Sequence, residues 1–370
     1  MKTMVVKIGS STLINNEGKL NRSYISQLAD QAAELRRLGW QLVIVSSGAV
    51  ACGLDTLGIS KRPADMPSLQ AAASVGQIGL ASVYDEEFSA RGLVSSLVLL
   101  TRHDTANRSS YLHARDTMLR LLELGVMPIV NENDTTSVEE IKFGDNDTLA
   151  AVVSCLIKAD LCVICSDIDG LYTANPQLDP SATLIEQVCG IDADILGLAG
   201  DSTSSVGTGG MITKLKAARV LMTAGVPMVI CHGKAEHQLV DLALEKSVGT
   251  RFVPQIAASD IAPRKLWIAL GDKTHGTVSV DAGAYAALRE QGSSLLAVGI
   301  AGVEGDFASG SLVDIADDKG FVFARGLVGA SSDELKLAAG RQQAEIDANS
   351  LLVELTHRPA IHRDDMIVFA

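Results

Sequence analysis

The sequence predicts an α/β protein, a mainly parallel open sheet sandwiched by helices, followed by a small β-rich domain. From the start to about residue 255, short Val, Ile and Leu runs alternate with longer amphipathic segments, the pattern of strands joined through helices. Several of those runs are apolar on both faces, as strands covered from both sides must be. After the two prolines of PQIAASDIAPR, shorter strands separated by glycine-rich turns take over.

TMVVKIG, QLVIVSS, LVSSLVLL, MPIVNE, LCVICS and PMVICH read as the strands of the first region, and SYISQLADQAAELRRLG and TKLKAARVLMTAG as helices between them. The change of pattern places a linker at 256–263, between a first domain at 1–255 and a second at 264–370. In the second, KLWIALG, GTVSVD, LLAVGIAGVEG, SLVDIAD and FVFARGLV read as strands of a small barrel or sandwich, with a helix at YAALREQG.

A chain of 370 residues is longer than one hydrophobic core usually serves, and 47% hydrophobic residues can fill two. With 31 Lys and Arg against 44 Asp and Glu, the formal charge is −13. Such a chain repels phosphate backbones unless a basic patch is concentrated somewhere, and an acidic enzyme that binds ATP would need local lysines and a divalent cation. MKTMVVKIGSST has too short an apolar run for a signal peptide, and no stretch reaches the length of a membrane helix. The expected setting is the cytoplasm, with no membrane partner. Six scattered cysteines suit reduced core thiols, and the CxxC of Cys162 and Cys165 falls in a buried strand that places the pair on opposite faces.

Three clusters fall where α/β enzymes hold ligands, at strand carboxyl ends. In VVKIGSST, Lys7 stands in an apolar strand with Gly9, Ser10 and Ser11 after it. A buried lysine there needs an anion such as phosphate; a strand-end lysine reaching solvent is the alternative. In VIVSSGAVACG, Ser47 is either part of an anion site or a helix N-cap. In SSVGTGGMITKLKAA, Gly207, Gly209 and Gly210 precede a helix bearing Lys214. Glycines admit a phosphate close to the backbone and the helix start attracts its charge, whereas a plain loop before a helix is the other reading. Neither GxxxxGK[ST] nor GxGxxG is present. Between the clusters, NENDTTSVEEIKFGDNDTLAA supplies Asn131, Asn133, Asp134, Asp145, Asn146 and Asp147. Asp147 is a simple helix N-cap on spacing alone, or a carboxylate that fixes lysines near a phosphate. The HRD at His362 to Asp364 lacks the other parts of a protein-kinase catalytic loop and is set aside.

In this order the clusters resemble the amino acid kinase family: VVKIGSS, VSSGAVACG, NENDTT, FGDNDTLAA, SDIDGLYTANP and GTGGMITKLKAA match its motifs across nearly the whole chain. GSSLLAVGIAGVEGDFASG and FARGLV are similar to the PUA domain appended to many members. The resemblance implies the amino acid kinase fold and phosphoryl transfer from ATP, with Mg²⁺, to a carboxylate. NENDTT, FGDNDTLAA and the PUA-like tail favour members that phosphorylate the γ-carboxylate of L-glutamate, giving L-glutamyl 5-phosphate for proline biosynthesis. Acetylglutamate, aspartate and nucleoside-monophosphate kinases are the alternatives.

Residue by residue, the resemblance assigns catalysis to Lys7 and Lys214, with Asp147 orienting both. It assigns glutamate binding to Ser47, Asp134 and Asn146, and nucleotide binding to Lys7, Gly9, Ser166, Asp167, Thr208, Gly209, Gly210, Met211, Ile212, Thr213 and Lys214. No residue is assigned as a metal ligand. It further implies feedback inhibition by proline, hand-over of the acyl phosphate to glutamyl phosphate reductase, and a homo-oligomer, dimer or tetramer. Ser46 and Ser166 stand where many relatives carry Thr, which keeps the hydroxyl, and Asn175 where Asp is common. PUA domains elsewhere bind RNA, which makes an RNA-binding role of the tail a minority alternative, but residues 264–370 carry 10 Lys and Arg against 15 Asp and Glu, so RNA is not expected as a partner.

Overall fold

The computed structural model describes residues 1–370 apart from 16, 102–103, 105–106, 137–145, 200–209, 256–262, 271–273 and 370. The chain folds into two units, Met1–Asp260 and Ile261–Ala370.

Six strands of the first unit are those the apolar runs predict: β1 (Lys2–Ile8), β2 (Trp40–Ser46), β3 (Val94–Leu100), β4 (Val126–Glu132), β5 (Leu161–Ser166) and β7 (Met228–His232). Two short strands, β6 (Gln187–Val188) and β8 (Thr250–Phe252), extend the sheet to the order β3-β4-β2-β1-β5-β7-β8-β6 among the described residues. β8 runs antiparallel to β7, and the other described pairings are parallel. Among the described residues the helices are α1 (Ser10–Leu13), α2 (Arg22–Arg37), α3 (Ala49–Thr56), α4 (Met66–Ser89), α5 (Arg108–Glu123), α6 (Asn146–Leu156), α7 (Ala193–Gly197), α8 (Met211–Thr223) and α9 (Gln238–Ala243).

Side-chain alternation along β1 decides how this unit is layered. Met4, Val6 and Ile8 enter a core with Ile25, Leu28 and Leu35 of α2 and Leu80, Tyr84 and Phe88 of α4. Val5 and Lys7 point to the other face, which α6 and α8 cover. α2 forms because Asn21 caps it, accepting from the Tyr24 N–H, and because its apolar residues recur at helical spacing. Cys165 joins the first face and Cys162 the second, near Ser154; both are buried free thiols, and burial pushes Cys162 up to about 12. The CxxC is therefore split across the sheet, as a strand requires.

α3 and α4 approach so closely that glycines are obligatory at the crossing. A Cβ on Gly53 would collide with the Ala72 carbonyl, and one on Gly76 with the backbone of Ala49 and Gly53. Gly48, at φ +96°, turns the chain from β2 into α3, a conformation that favours glycine.

In the second unit, α10 (Pro263–Leu270), α11 (Ala282–Gln291), α12 (Ser332–Ala338) and α13 (Gln343–Asp347) accompany a five-stranded sheet. Its strands β9 (Gly276–Val280), β10 (Ile300–Gly305), β11 (Leu312–Ala316), β12 (Val322–Leu327) and β13 (Met366–Val368) run in the order β10-β9-β11-β12-β13. β9 and β11 are parallel and the remaining pairs antiparallel. Val278, Val313, Ile315, Phe323 and Leu335 sit in its own core. The KLWIAL of KLWIALG, expected as a strand, belongs instead to α10, and Gly271 lies outside the described residues. A short apolar run has no decisive period, and Pro263 at the first helical position, with φ already near the helical value, tips it to helix.

Gly53→Ala should destabilise the protein by roughly 1–3 kcal/mol or more, since the obstacle is backbone and not a movable side chain. Urea unfolding checks this, and an unchanged midpoint would show that α3 and α4 separate at little cost.

Candidate active site

Parallel pairing aligns the strand ends. Lys7 stands beside Val45 and Ile164, so the carboxyl ends of β1, β2 and β5 form one edge, with Ser46 and Ser166 as the last residues of their strands. At that edge α6 and α8 begin, and their first turns bring Asp147 and Lys214 to Lys7.

Lys7 Nζ lies 2.7 Å from Asp147 Oδ1, and Lys214 Nζ lies 3.1 Å from Asp147 Oδ2. Thr213 Oγ1 is 3.0 Å from the same Oδ2 and 2.7 Å from the Gly210 carbonyl. The Asp147 side chain is 0% exposed and both lysines are nearly as buried. Burial raises the pKa of such a carboxyl, but the charges of Lys7 and Lys214 outweigh it and hold Asp147 well below the usual carboxylate range. The three side chains carry a formal +1, a surplus that suits an incoming anion.

Lys7 does not reach solvent, and Asp147 is not an N-cap, because α6 already begins at Asn146 and the Asp147 carboxylate is engaged by two ammonium groups. Gly9 borders the cluster: a Cβ built there would lie 3.7 Å from Lys7 Nζ. Gly210, Met211, Ile212 and Thr213 form the start of α8, with Gly210 at its N-cap and Ile212 exposed. Ser166 ends β5, its hydroxyl 3.1 Å from Oδ1 of the exposed Asp167. Thr208 and Gly209 lie outside the described residues.

The neighbouring residue, Asn146, turns the other way. Its Nδ2 donates to the Ser46 carbonyl at 2.6 Å, with Ser47 Oγ at 3.0 Å and Asn131 Oδ1 at 3.1 Å. Ser47 is thus an acceptor for Asn146 and not the cap of α3, a place held by Gly48. Asp134 lies half-buried in the turn after β4. Asn131, which the sequence offers in the NENDTT segment without an assigned role, joins this group; Gln77 and Tyr84, which hold Asn131 and Ser46 through hydrogen bonds of 2.8 and 3.0 Å, carry no signal in the sequence.

A model of the amino acid kinase family matches residues 2–232, the stretch that supplies every residue of this cluster. The chain belongs to the amino acid kinase family. A PUA domain model matches residues 276–349, within the second unit. Among relatives in this family, a glutamate 5-kinase of Citrifermentans bemidjiense is 45% identical over 368 residues, covering 100% of this chain and 98% of that protein. One of Burkholderia mallei is 44% identical over 367 residues, covering 99% and 98%. An isopentenyl phosphate kinase structure aligns with 68% of this chain and 100% of its own at 18% identity and a TM-score of 0.47.

Asp147→Asn should cost roughly 3–5 kcal/mol, because it removes the counter-charge from two buried ammonium groups. The native contribution of Asp147 is complete above the unfolded aspartate pKa of about 3.9 and is lost as pH falls through its lower folded value. Urea unfolding across the acid range should therefore show a component of acid sensitivity in the native protein that D147N lacks. Equal acid sensitivity in the two proteins would contradict the assignment.

Proposed function

We propose that this protein is an ATP-dependent glutamate 5-kinase, transferring the γ-phosphoryl group of ATP to the side-chain carboxylate of L-glutamate. The observation that carries the chemistry is the buried Lys7–Asp147–Lys214 cluster at the carboxyl edge of the sheet. Full-length relatives that bear the name glutamate 5-kinase support the choice of acceptor over acetylglutamate, aspartate or a nucleoside monophosphate.

The γ-carboxylate is ionised at neutral pH and attacks the γ-phosphorus in line, so no general base is required. Charge spreads over the transferring oxygens, and Lys7 and Lys214 neutralise it from positions fixed in advance by Asp147. Ser47, Asn146 and Asp134 hold the glutamate. The nucleotide lies across Gly9, Ser166, Asp167 and the segment from Thr208 to Lys214. Among the described residues no three His, Cys, Asp or Glu side chains converge as a metal site. Mg²⁺ would enter with the phosphates of ATP and supply further neutralisation of their charge.

The product is a labile acyl phosphate, which fits hand-over to glutamyl phosphate reductase in proline biosynthesis and feedback inhibition by proline. A homo-oligomer in the cytoplasm completes the proposal. Among the described residues no helix is long and apolar enough to cross a membrane. The acidic balance of residues 264–370 weighs against RNA as a partner of the second unit.

Trapping the product as a hydroxamate, with MgATP, hydroxylamine and each candidate carboxylate offered separately, tests the reading. Hydroxamate with glutamate alone, suppressed by proline, is the expected result; none with any carboxylate from folded protein would refute it. Lys214→Ala should lower kcat by about 100-fold or more with a small change in glutamate KM. Ser47→Ala should instead raise the glutamate KM, by roughly threefold to tenfold.

A further inference from the structure

We propose that Gln77, in the middle of α4, is a positioning residue for the acceptor subsite and acts on Asn146 through Asn131. The inference rests on the kinase reading above. A carbonyl oxygen only accepts, so the Ser46 carbonyl 2.6 Å from the Asn146 side chain identifies that atom as Nδ2. The Asn131 atom 3.1 Å from the same nitrogen must then be its oxygen, which turns Asn131 Nδ2 towards Gln77. Gln77 Oε1 receives that hydrogen bond at 2.8 Å. One backbone carbonyl thus sets the direction of three side-chain amides in series, and Gln77 is the acceptor on which the series ends.

Asn146 Nδ2 has two hydrogens and three acceptors within reach: the Ser46 carbonyl, Asn131 Oδ1 and Ser47 Oγ. A firmly held Asn131 oxygen, at 3.1 Å, competes with the Ser47 hydroxyl, at 3.0 Å, for one of the hydrogens, so the hold on Asn131 bears on how freely Ser47 turns to the substrate. Without an acceptor at position 77, Asn131 loses the bond that keeps its oxygen facing Asn146, and a flipped Asn131 would oppose two NH₂ groups.

Backbone packing closes the same circuit. Gly76, the residue before Gln77, lies against Ala49 and Gly53 of α3, and α3 follows directly from Ser47 and Gly48. Ser47 is hence fixed to Gln77 by two routes, one through helix contact and one through the amides of Asn146 and Asn131. Both routes lead from Gln77 to the acceptor side of α6 and away from the ion pairs that Asp147 makes with the two lysines.

The experiment is a double-mutant cycle of Q77M, N131L and Q77M/N131L, both substitutions removing hydrogen bonding at similar size. Glutamate KM, ATP KM and kcat are measured by hydroxamate formation, with thermal unfolding in parallel. Q77M should raise the glutamate KM roughly threefold to tenfold with kcat and ATP KM within about twofold. In the N131L background Q77M should add nothing to the glutamate KM, because its route is already cut. An unchanged glutamate KM in Q77M would overturn the proposal, as would an equal rise in both backgrounds or a parallel shift of all three parameters. Absence of hydroxamate from the native protein would instead refute the kinase reading itself.

Discussion

A carboxylate sealed from water between two ammonium groups is the interaction on which this site depends. Asp147 joins three elements that are remote in sequence, because Lys7 comes from β1, Asp147 from the first turn of α6 and Lys214 from the first turn of α8. Desolvating these groups is costly, and the cost is offset only while all three hold their geometry. Both ammonium groups are consequently held in place before any ligand arrives, so neutralising a phosphoryl group calls for little rearrangement. The three side chains of the cluster carry a formal +1 in a protein whose overall charge is −13.

The start of α6 divides the work between two adjacent residues. Asn146 turns towards the ends of β2 and β4, where Ser46, Ser47 and Asn131 gather, and Asp147 turns towards β1 and α8. Under the proposed function, one helix terminus therefore fixes the acceptor subsite relative to the transfer centre. In-line transfer demands that relation, since small errors in the approach of the carboxylate to phosphorus are expensive. The parallel sheet makes it possible by ending β1, β2 and β5 side by side.

Much of this was legible from residues alone. Runs such as VVKIG and LCVICS are apolar at nearly every position and became central strands, because only burial on both faces accommodates them. Lys7 stood out as a charge in such a run, and Lys214 as a lysine one turn into a helix after glycines. Spacing could not say that the two meet at Asp147, since N-capping explains an aspartate before an apolar helix just as well. Gln77 and Tyr84 were invisible for a different reason: they sit in a long helix whose sequence is ordinary, and only the packing of α4 against the sheet brings them to Asn131 and Ser46. The short helix α10 was misread because a run such as KLWIAL fits either period.

The central claim is that Lys7 and Lys214 flank the phosphoryl group in transit. A crystal structure with L-glutamate, Mg²⁺ and a non-hydrolysable ATP analogue tests it most directly. The γ-phosphate oxygens are expected within hydrogen-bond distance of both Nζ atoms, with the glutamate side-chain carboxylate facing phosphorus from the side of Ser47 and Asn146. A γ-phosphate bound away from both lysines, with the Lys7–Asp147–Lys214 cluster intact, would contradict it.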